Sequence, residues 1–511
     1  MKKSKVKSNF GYMIILLLFC CLGQLFAAPC GDVNSKDGIN IVDALLIAQF
    51  YVGLDPVDFD EAAADVNADG KINIVDALLI AQYYVGLITE LPGCNQTPKP
   101  IGQVPKHWHE SNGYGTHTEA GIGGTVFKVT NLKNSGSGSL RAAVEASGPR
   151  LIVFEVGGVI DLGGNRLVIS NDNITIAGQT APSPGITLIR GNFTVYANDV
   201  VVSHITVQLG DEVEGFPDCV NVSDKGDKNI VLNHVSVYWS KDENLSMNAP
   251  QDVTLYKCLI AEALQYCGHP DGEHSKGSLI FSPQNLSLIG TLYAHNAMRN
   301  PRSKDGRMII VNGAVYNWAE GWDHSTTWFN YVVHLRRDEI SFVGNVGIQG
   351  PESKGEIFVD GHQGGPGSAY MEDNIIIDRN GNNLTIYNDK EITRLYTPPL
   401  WPNGLEPIPA HESIYEVLRT AGSRPGDRDK HNARVFKTVA DGTGEIIDSQ
   451  KEVGGYADYP GTSRPIDVPN GVKERQAWLD SLEDKIAVDR DIDLTRLYKL
   501  VGSADSDRYA P

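Results

Sequence analysis

The chain has 511 residues and a formal net charge of -19, with 63 acidic residues against 44 lysines and arginines. That excess of negative charge repels nucleic acid, so a polyanion could dock only at a local basic patch or through a metal. With 41% hydrophobic residues, 21% charged residues and 53 glycines, the composition is that of a folded, loop-rich protein and excludes a disordered one.

The N-terminus reads "MKKSKVKSNFGYMIILLLFCCLGQLFAAPC": lysines, an apolar run, then small residues. This order predicts a secretory signal over residues 1–28 with cleavage near Ala27 or Ala28, and hence a secreted, extracellular protein. The apolar run falls well short of the ~20 residues that a bilayer span needs, so no membrane anchor is expected. Of the seven cysteines, Cys20 and Cys21 leave with the signal. Cys30 and Cys94 bracket a compact segment and are expected to pair in an oxidising compartment. Cys219, Cys258 and Cys267 then leave at least one thiol free, and the absence of CxxC spacing gives no zinc site.

Two repeats follow, "DVNSKDGINIVDALLIAQFYVGL" from Asp32 and "DVNADGKINIVDALLIAQYYVGL" from Asp65. The second places Asp65, Asn67, Asp69, Asn73 and Asp76 at loop positions 1, 3, 5, 9 and 12, with Gly70 at the turn and Lys71 at the backbone-carbonyl position. This is the ligand spacing of an EF-hand-type calcium loop with Asp as the last ligand. In the first copy Asp32, Asn34, Asn40 and Asp43 keep the register, but Lys36 occupies position 5 and Asp37 position 6. A lysine cannot ligate calcium, so this loop is expected to bind more weakly or to use Asp37 after rearrangement. Ala77, Leu78, Leu79 and Ala81 suit a helix packed on its twin. The duplicated segment resembles a type I dockerin, assigned to residues 29–94. The resemblance implies calcium in both loops and docking to a cohesin domain of a scaffoldin, with Ile41, Val42, Ile74 and Val75 at the positions where partners are chosen.

Residues 95–106 carry three prolines and no helical period, and read as a linker. From residue 107 to 511 the chain shows short β-branched runs opened by Asn or Asp, such as "DNITIAG", "NDVVVSHITV", "KNIVLNHVSV" and "QNLSLIG". Long loops between short runs predict solenoid coils, and the fold expected is all-β, a right-handed parallel β-helix. "SLRAAVEA" is a short amphipathic helix opened by Ser139 and placed to cover the N-terminal end of the solenoid.

With "IAGQTAPSPGITL", "NHVSVYWSKDENLSM" and "AHNAMRNPR", this body resembles a pectate lyase of polysaccharide lyase family 1, from about residue 110 to at least 380. The segment beyond looks like a C-terminal extension found in part of that family. The resemblance implies calcium-assisted β-elimination on polygalacturonate, a pectic polysaccharide. "RNPRSK" supplies Arg299 as the matching base, Arg302 as substrate clamp or tuner, and Lys304 where a second substrate-holding arginine usually lies. That substitution keeps the charge and loses the bidentate fork. Lys276 in "GEHSKGSLI" matches a lysine that binds the substrate carboxylate, one coil before Arg299. Asp218 and Asp242 match calcium ligands. Phe216 and Ser246 replace other carboxylates, for which Asp211, Glu214 or Glu243 would compensate. His234, Trp239 and His295 read as core residues; Trp318, Trp322 and Trp328 read as a sugar-stacking surface or as structural. A hydrolase on the same fold needs closely spaced paired carboxylates, and no "NTD", adjacent "DD" or "GHG" occurs. A pectin lyase, another polyuronate lyase and a non-catalytic carbohydrate-binding β-helix are the alternatives.

Overall fold

The computed structural model describes residues 31–501 other than 35, 37, 55, 58, 61–62, 68–70, 89–90, 92–104, 320–332, 355–356 and 362–365. The expected signal, the Cys30–Cys94 pair, nearly all of the linker, Asp37, Asp69, Gly70, Trp322 and Trp328 fall outside them. The chain divides into two compact units, residues 1–100 with 510–511 and residues 101–509.

In the smaller unit the two repeats form helices Ile41–Tyr51 and Ile74–Tyr84. Each starts at a position-9 asparagine whose side chain accepts the N–H of Val42 or Val75. The position-12 aspartates return the favour, Asp43 accepting from the N–H of Asn40 at 2.8 Å and Asp76 from that of Asn73 at 2.9 Å. These reciprocal bonds satisfy orphan N–H groups of the first turn, so the loop residues also nucleate the helices. Ala44, Ile47, Ala77 and Ile80 bury a shared core with Val33 and Val66. Leu78, expected on that packed face, is instead 55% exposed.

The larger unit is a parallel β-helix. Its strands lie in three sheets of eleven, nine and ten strands among the described residues. Every strand pair is parallel except Val156–Asp161 with Thr462–Ser463, where the C-terminal segment adds itself antiparallel to the ten-stranded sheet. A single coil runs through Phe193–Val195, Val200–Ser203 and Ile205–Gln208, one strand in each sheet. The corner between the last two is one residue, His204, at φ 56°; His234 and Lys257 make the same corner in the next coils at 52° and 51°. Inward side chains stack in register: Ile176, Val202, Leu232, Leu255, Leu288 and Ile310 form one column. All six are buried, each contributing about 1.5–3 kcal/mol of apolar burial.

The helix Leu140–Glu145 begins at Ser139, whose Oγ accepts the N–H of Ala142. Arg150, fully buried, donates to its carbonyls at Ala143 and Val144, placing a cation at the helix C-terminus. The C-terminal segment contributes helices Ala410–Thr420, Lys430–Asp441, Val472–Glu483 and Thr495–Val501. The first, second and last share one core with the ten-stranded sheet, to which they contribute Leu418, Phe436 and Leu497.

Candidate active site

The nine-stranded sheet carries the charged residues. Val220 pairs with Leu245, Glu243 with Lys276 and Lys276 with Met298. Asp218, Glu243 and Lys276 therefore follow one another at the same edge of successive coils, about 4.8 Å apart per rung, with Arg299 one residue past the partner of Lys276 on the next. Arg299 sits at φ 61°, the same left-handed conformation that turns the chain at other corners of the solenoid such as His204 and Lys257. On the adjoining strand, Arg302 and Lys304 flank the buried Ser303 and project to the same outer face.

Asp218, Asp242 and Glu243 bring carboxylate oxygens within 4.8 Å of one another. Asp218 accepts the N–H of Glu243 at 3.1 Å and the side-chain amide of Asn221 at 2.7 Å. Burial pushes its carboxyl up to about 6, with Asp242 adding to the rise and Asn221 and Lys276 opposing it. Asp242 also suffers burial, but its contacts outweigh that. Its Oδ1 lies 3.0 Å from Lys276 Nζ and 3.3 Å from His274 Nε2, and the two hold it well below the usual carboxylate range. Glu243 is buried and ion-paired with Arg299 Nη1. Like-charged carboxylates so close favour a cation, and an all-oxygen set suits calcium.

Arg299 is 15% exposed at its side chain, and its Nε has no hydrogen-bond partner. Burial lowers its pKa to about 10, Arg302 adding to the effect and Asp242 and Asp218 opposing it; contact with Glu243 also favours the charged form. Lys304 lies 4.5 Å over the Phe281 ring, and burial with Arg302 and Arg299 lowers its pKa to about 8. Arg336, paired with Lys304 across the next rung, extends the cationic strip.

The structure thus brings Asp218, Asp242, Lys276, Arg299, Arg302 and Lys304 to one face. Glu243 joins them there. Asp211 does not: its carboxylate is held by Ser449, Gln450 and Lys451 of the C-terminal segment. Glu214 is exposed. Trp318 is buried and donates to the Lys354 carbonyl, so it offers no sugar platform. Asn221, His274 and Arg336 escaped the sequence reading, because what places them is register between coils.

In the smaller unit, Asp43 and Asp76 are fully buried. Asp43 Oδ1 has no hydrogen-bond partner, and burial and Asp32 both raise its pKa, so a cation there would be favoured. Asn40 and Asn73 commit their side-chain oxygens to helix caps, while Asp32 and Asn34 both accept the N–H of Lys36 and the Lys71 carbonyl accepts the side-chain amide of Asn73.

The type I dockerin domain family matches residues 30–84. A protein of Aspergillus flavus named "Probable pectate lyase C" is 32% identical over 374 residues, covering 70% of this chain and 83% of its own. One of the same name from Emericella nidulans is 31% identical over 397 residues, covering 74% and 88%. Among solved structures, a pectate lyase bound to hexasaccharide aligns with 63% of this chain and 99% of its own, at 13% identity and a TM-score of 0.46. The chain therefore belongs to the pectate lyase family of polysaccharide lyases and carries a type I dockerin domain.

Proposed function

We propose that this is a secreted, calcium-dependent pectate lyase that cleaves polygalacturonate by β-elimination to 4,5-unsaturated oligogalacturonides. The observation that carries the reading is the row Asp218, Glu243 and Lys276 on successive rungs, with Arg299 one residue past the rung partner of Lys276 and ion-paired with Glu243, and Asp242 beside it. Arg299 removes the proton on C5. The electron pair of that C–H bond forms the C4–C5 double bond as the C4–O bond breaks, and the departing oxygen takes a proton from solvent. Calcium held by Asp218, Asp242 and Glu243 would neutralise the uronate carboxylate and make the C5 proton more acidic.

Glu243 cannot serve both Arg299 and a cation. Releasing Arg299 leaves it buried with Arg302 as a close charge, which favours the neutral, basic form. Lys276, Arg302 and Lys304 bind substrate carboxylates. With a cation held by Asp242, Lys276 would be released from its 3.0 Å contact with that carboxylate to pair with the substrate's.

The proposed organisation is signal 1–28, dockerin 29–94, linker 95–106 and catalytic domain 107–511. Both dockerin loops bind calcium, and the dockerin tethers the enzyme to a cohesin domain in a cellulosome-like complex. Supporting this, Ile41, Val42 and Leu45 and their counterparts Ile74, Val75 and Leu78 are all 47–56% exposed, an apolar surface presented twice.

The test is the Arg299→Ala chain assayed on polygalacturonate with calcium. Its rate of unsaturated-product formation should fall about 10³- to 10⁴-fold at an unchanged unfolding midpoint. Retained turnover would remove Arg299 as the base.

A further inference from the structure

A cavity opens on the outer face of the eleven-stranded sheet, away from the nine-stranded face. Strands Ile174–Ala177 and Val200–Ser203 pair there in register, Thr175 with Val201 and Ala177 with Ser203. Strand alternation turns Ile176 and Val202 into the solenoid and sends Thr175, Val201 and Ser203 outward. Above them lie the N-terminal segment, through Trp108 and Ile122, and helix Val472–Glu483, through Val472, Gln476 and Leu479, which share one helix face. Together they enclose a space of about 230 Å³.

The floor of the cavity is polar and buried, and its hydrogen-bonding capacity is not used up. Thr175 accepts the N–H of Gly121 at 3.0 Å and Ser203 accepts the Asn233 amide at 3.3 Å, so each hydroxyl still has its hydrogen to give. Gln179, from the stretch "IAGQTAPSPGITL", borders the cavity and is 5% exposed. Its Oε1 has no hydrogen-bond partner among the described residues. Buried side-chain amides are nearly always paired, so an orphaned one at a cavity wall marks where a ligand would supply the bond. The rim is held in place by Asp480, which accepts the Gln476 amide at 2.8 Å and lies 3.1 Å from His109 Nε2. Its two other charged residues, Glu119 and Lys473, are exposed and of opposite sign, and no arginine lines the cavity among the described residues.

We propose that this cavity binds one neutral sugar unit, free or at the end of a polysaccharide chain, at a site separate from the cleavage face. The space equals that of roughly eight waters of ~30 Å³, room for a single monosaccharide ring and not for an oligosaccharide. A sugar ring carries hydroxyls at its edge and C–H groups on its faces. Thr175, Gln179 and Ser203 meet the hydroxyls, while Trp108, Ile122 and Leu479 supply the apolar wall for the C–H groups. A uronate does not fit this floor, because its carboxylate would be buried with no cation beside it. The nine-stranded face is the reverse, gathering Lys276, Arg299, Arg302 and Lys304. The inference goes beyond the cleavage chemistry and depends neither on Arg299 as base nor on calcium.

The test titrates the full chain calorimetrically, in calcium-containing buffer, with D-galactose, L-arabinose and D-galacturonate. At least one of the two neutral sugars should fill one site per chain with a Kd on the order of 1 mM, as expected of a ligand of about a dozen non-hydrogen atoms. Gln179→Leu should weaken that binding about tenfold without lowering the unfolding midpoint, since it removes an amide that has no partner to lose. Val472→Trp, at a mouth residue that is 44% exposed, should block binding while the rate on polygalacturonate is unchanged. Asp242→Asn, on the cleavage face, should leave the sugar bound. A folded parent that binds neither neutral sugar up to tens of millimolar overturns the proposal without recourse to any variant. Binding that survives Val472→Trp, or that is lost in Asp242→Asn, places the sugar on another surface and overturns it equally. D-galacturonate held more tightly than either neutral sugar, with the same dependence on Gln179 and Val472, overturns the neutral class.

Discussion

Two places on one solenoid gather carboxylates beside basic groups, and they differ in what seals them. On the nine-stranded sheet Asp218 and Asp242 are half-buried, and the strip from Arg299 to Lys304 opens to solvent. Each acid there has a partner that can be exchanged: Asp242 has Lys276, and Glu243 has Arg299. At the opposite corner Glu483, His204 and His234 are closed off under the C-terminal segment. An open cluster can trade a lysine for a cation and a substrate carboxylate during turnover. A sealed one can only stabilise what surrounds it.

That contrast can be broken by mutation. The largest effect is expected at the sealed corner, where Glu483→Ala removes the buried acceptor of the Asn233 amide and the counter-charge of His107, whose pKa Glu483 raises. It should cost about 3–5 kcal/mol in denaturant unfolding while the rate on polygalacturonate in the cold is unchanged. Lost activity at full stability would mean that the corner is not purely structural. On the open face, Asp242→Asn should lower kcat/KM about 100-fold and raise the calcium concentration needed for half-maximal rate, with little change in unfolding midpoint. A destabilised but active variant would reverse the two assignments.

A smaller effect sharpens the picture through pH. Lys304, lowered to about 8, is charged below that pH and neutral above it. KM should therefore rise as pH passes about 8, by roughly tenfold or 1.4 kcal/mol, while kcat climbs toward the alkaline side as Arg299 loses its proton. Lys304→Arg stays charged and should flatten the KM rise; an unchanged profile would separate Lys304 from substrate binding. The smallest expected difference lies between the calcium loops. Calorimetric titration should find the loop containing Lys36 weaker than that starting at Asp65, and two equally tight sites would contradict this.

The solenoid was legible because its corners have a chemical signature. Asn173, Asp199, Asp252 and Asn285 all adopt positive φ, which Asn and Asp tolerate better than other side chains. Each therefore announces a turn before a β-branched strand. Arg299, Lys276 and Asp218 were singled out from a family pattern, and the fold brings them to one face. The partnerships of Glu243 with Arg299 and of Asp242 with His274 were not, since loops of unequal length separate successive strands and hide the register. The His204 corner was still less accessible: Asn233 and Glu483, which meet there, are 250 residues apart in sequence. Trp318 stays open in sequence between a sugar platform and a structural role, since an aromatic residue looks the same there whether it faces out or in, and its burial decides for the structural one.

The central claim, a calcium-assisted elimination on the nine-stranded face, is tested most directly with polygalacturonate and the full chain. Ultraviolet absorbance of unsaturated product and new reducing ends should be followed together, before and after calcium chelation. Both signals should rise in step, stop on chelation and resume when calcium is restored. Reducing ends without absorbance, or absorbance indifferent to chelation, would contradict it.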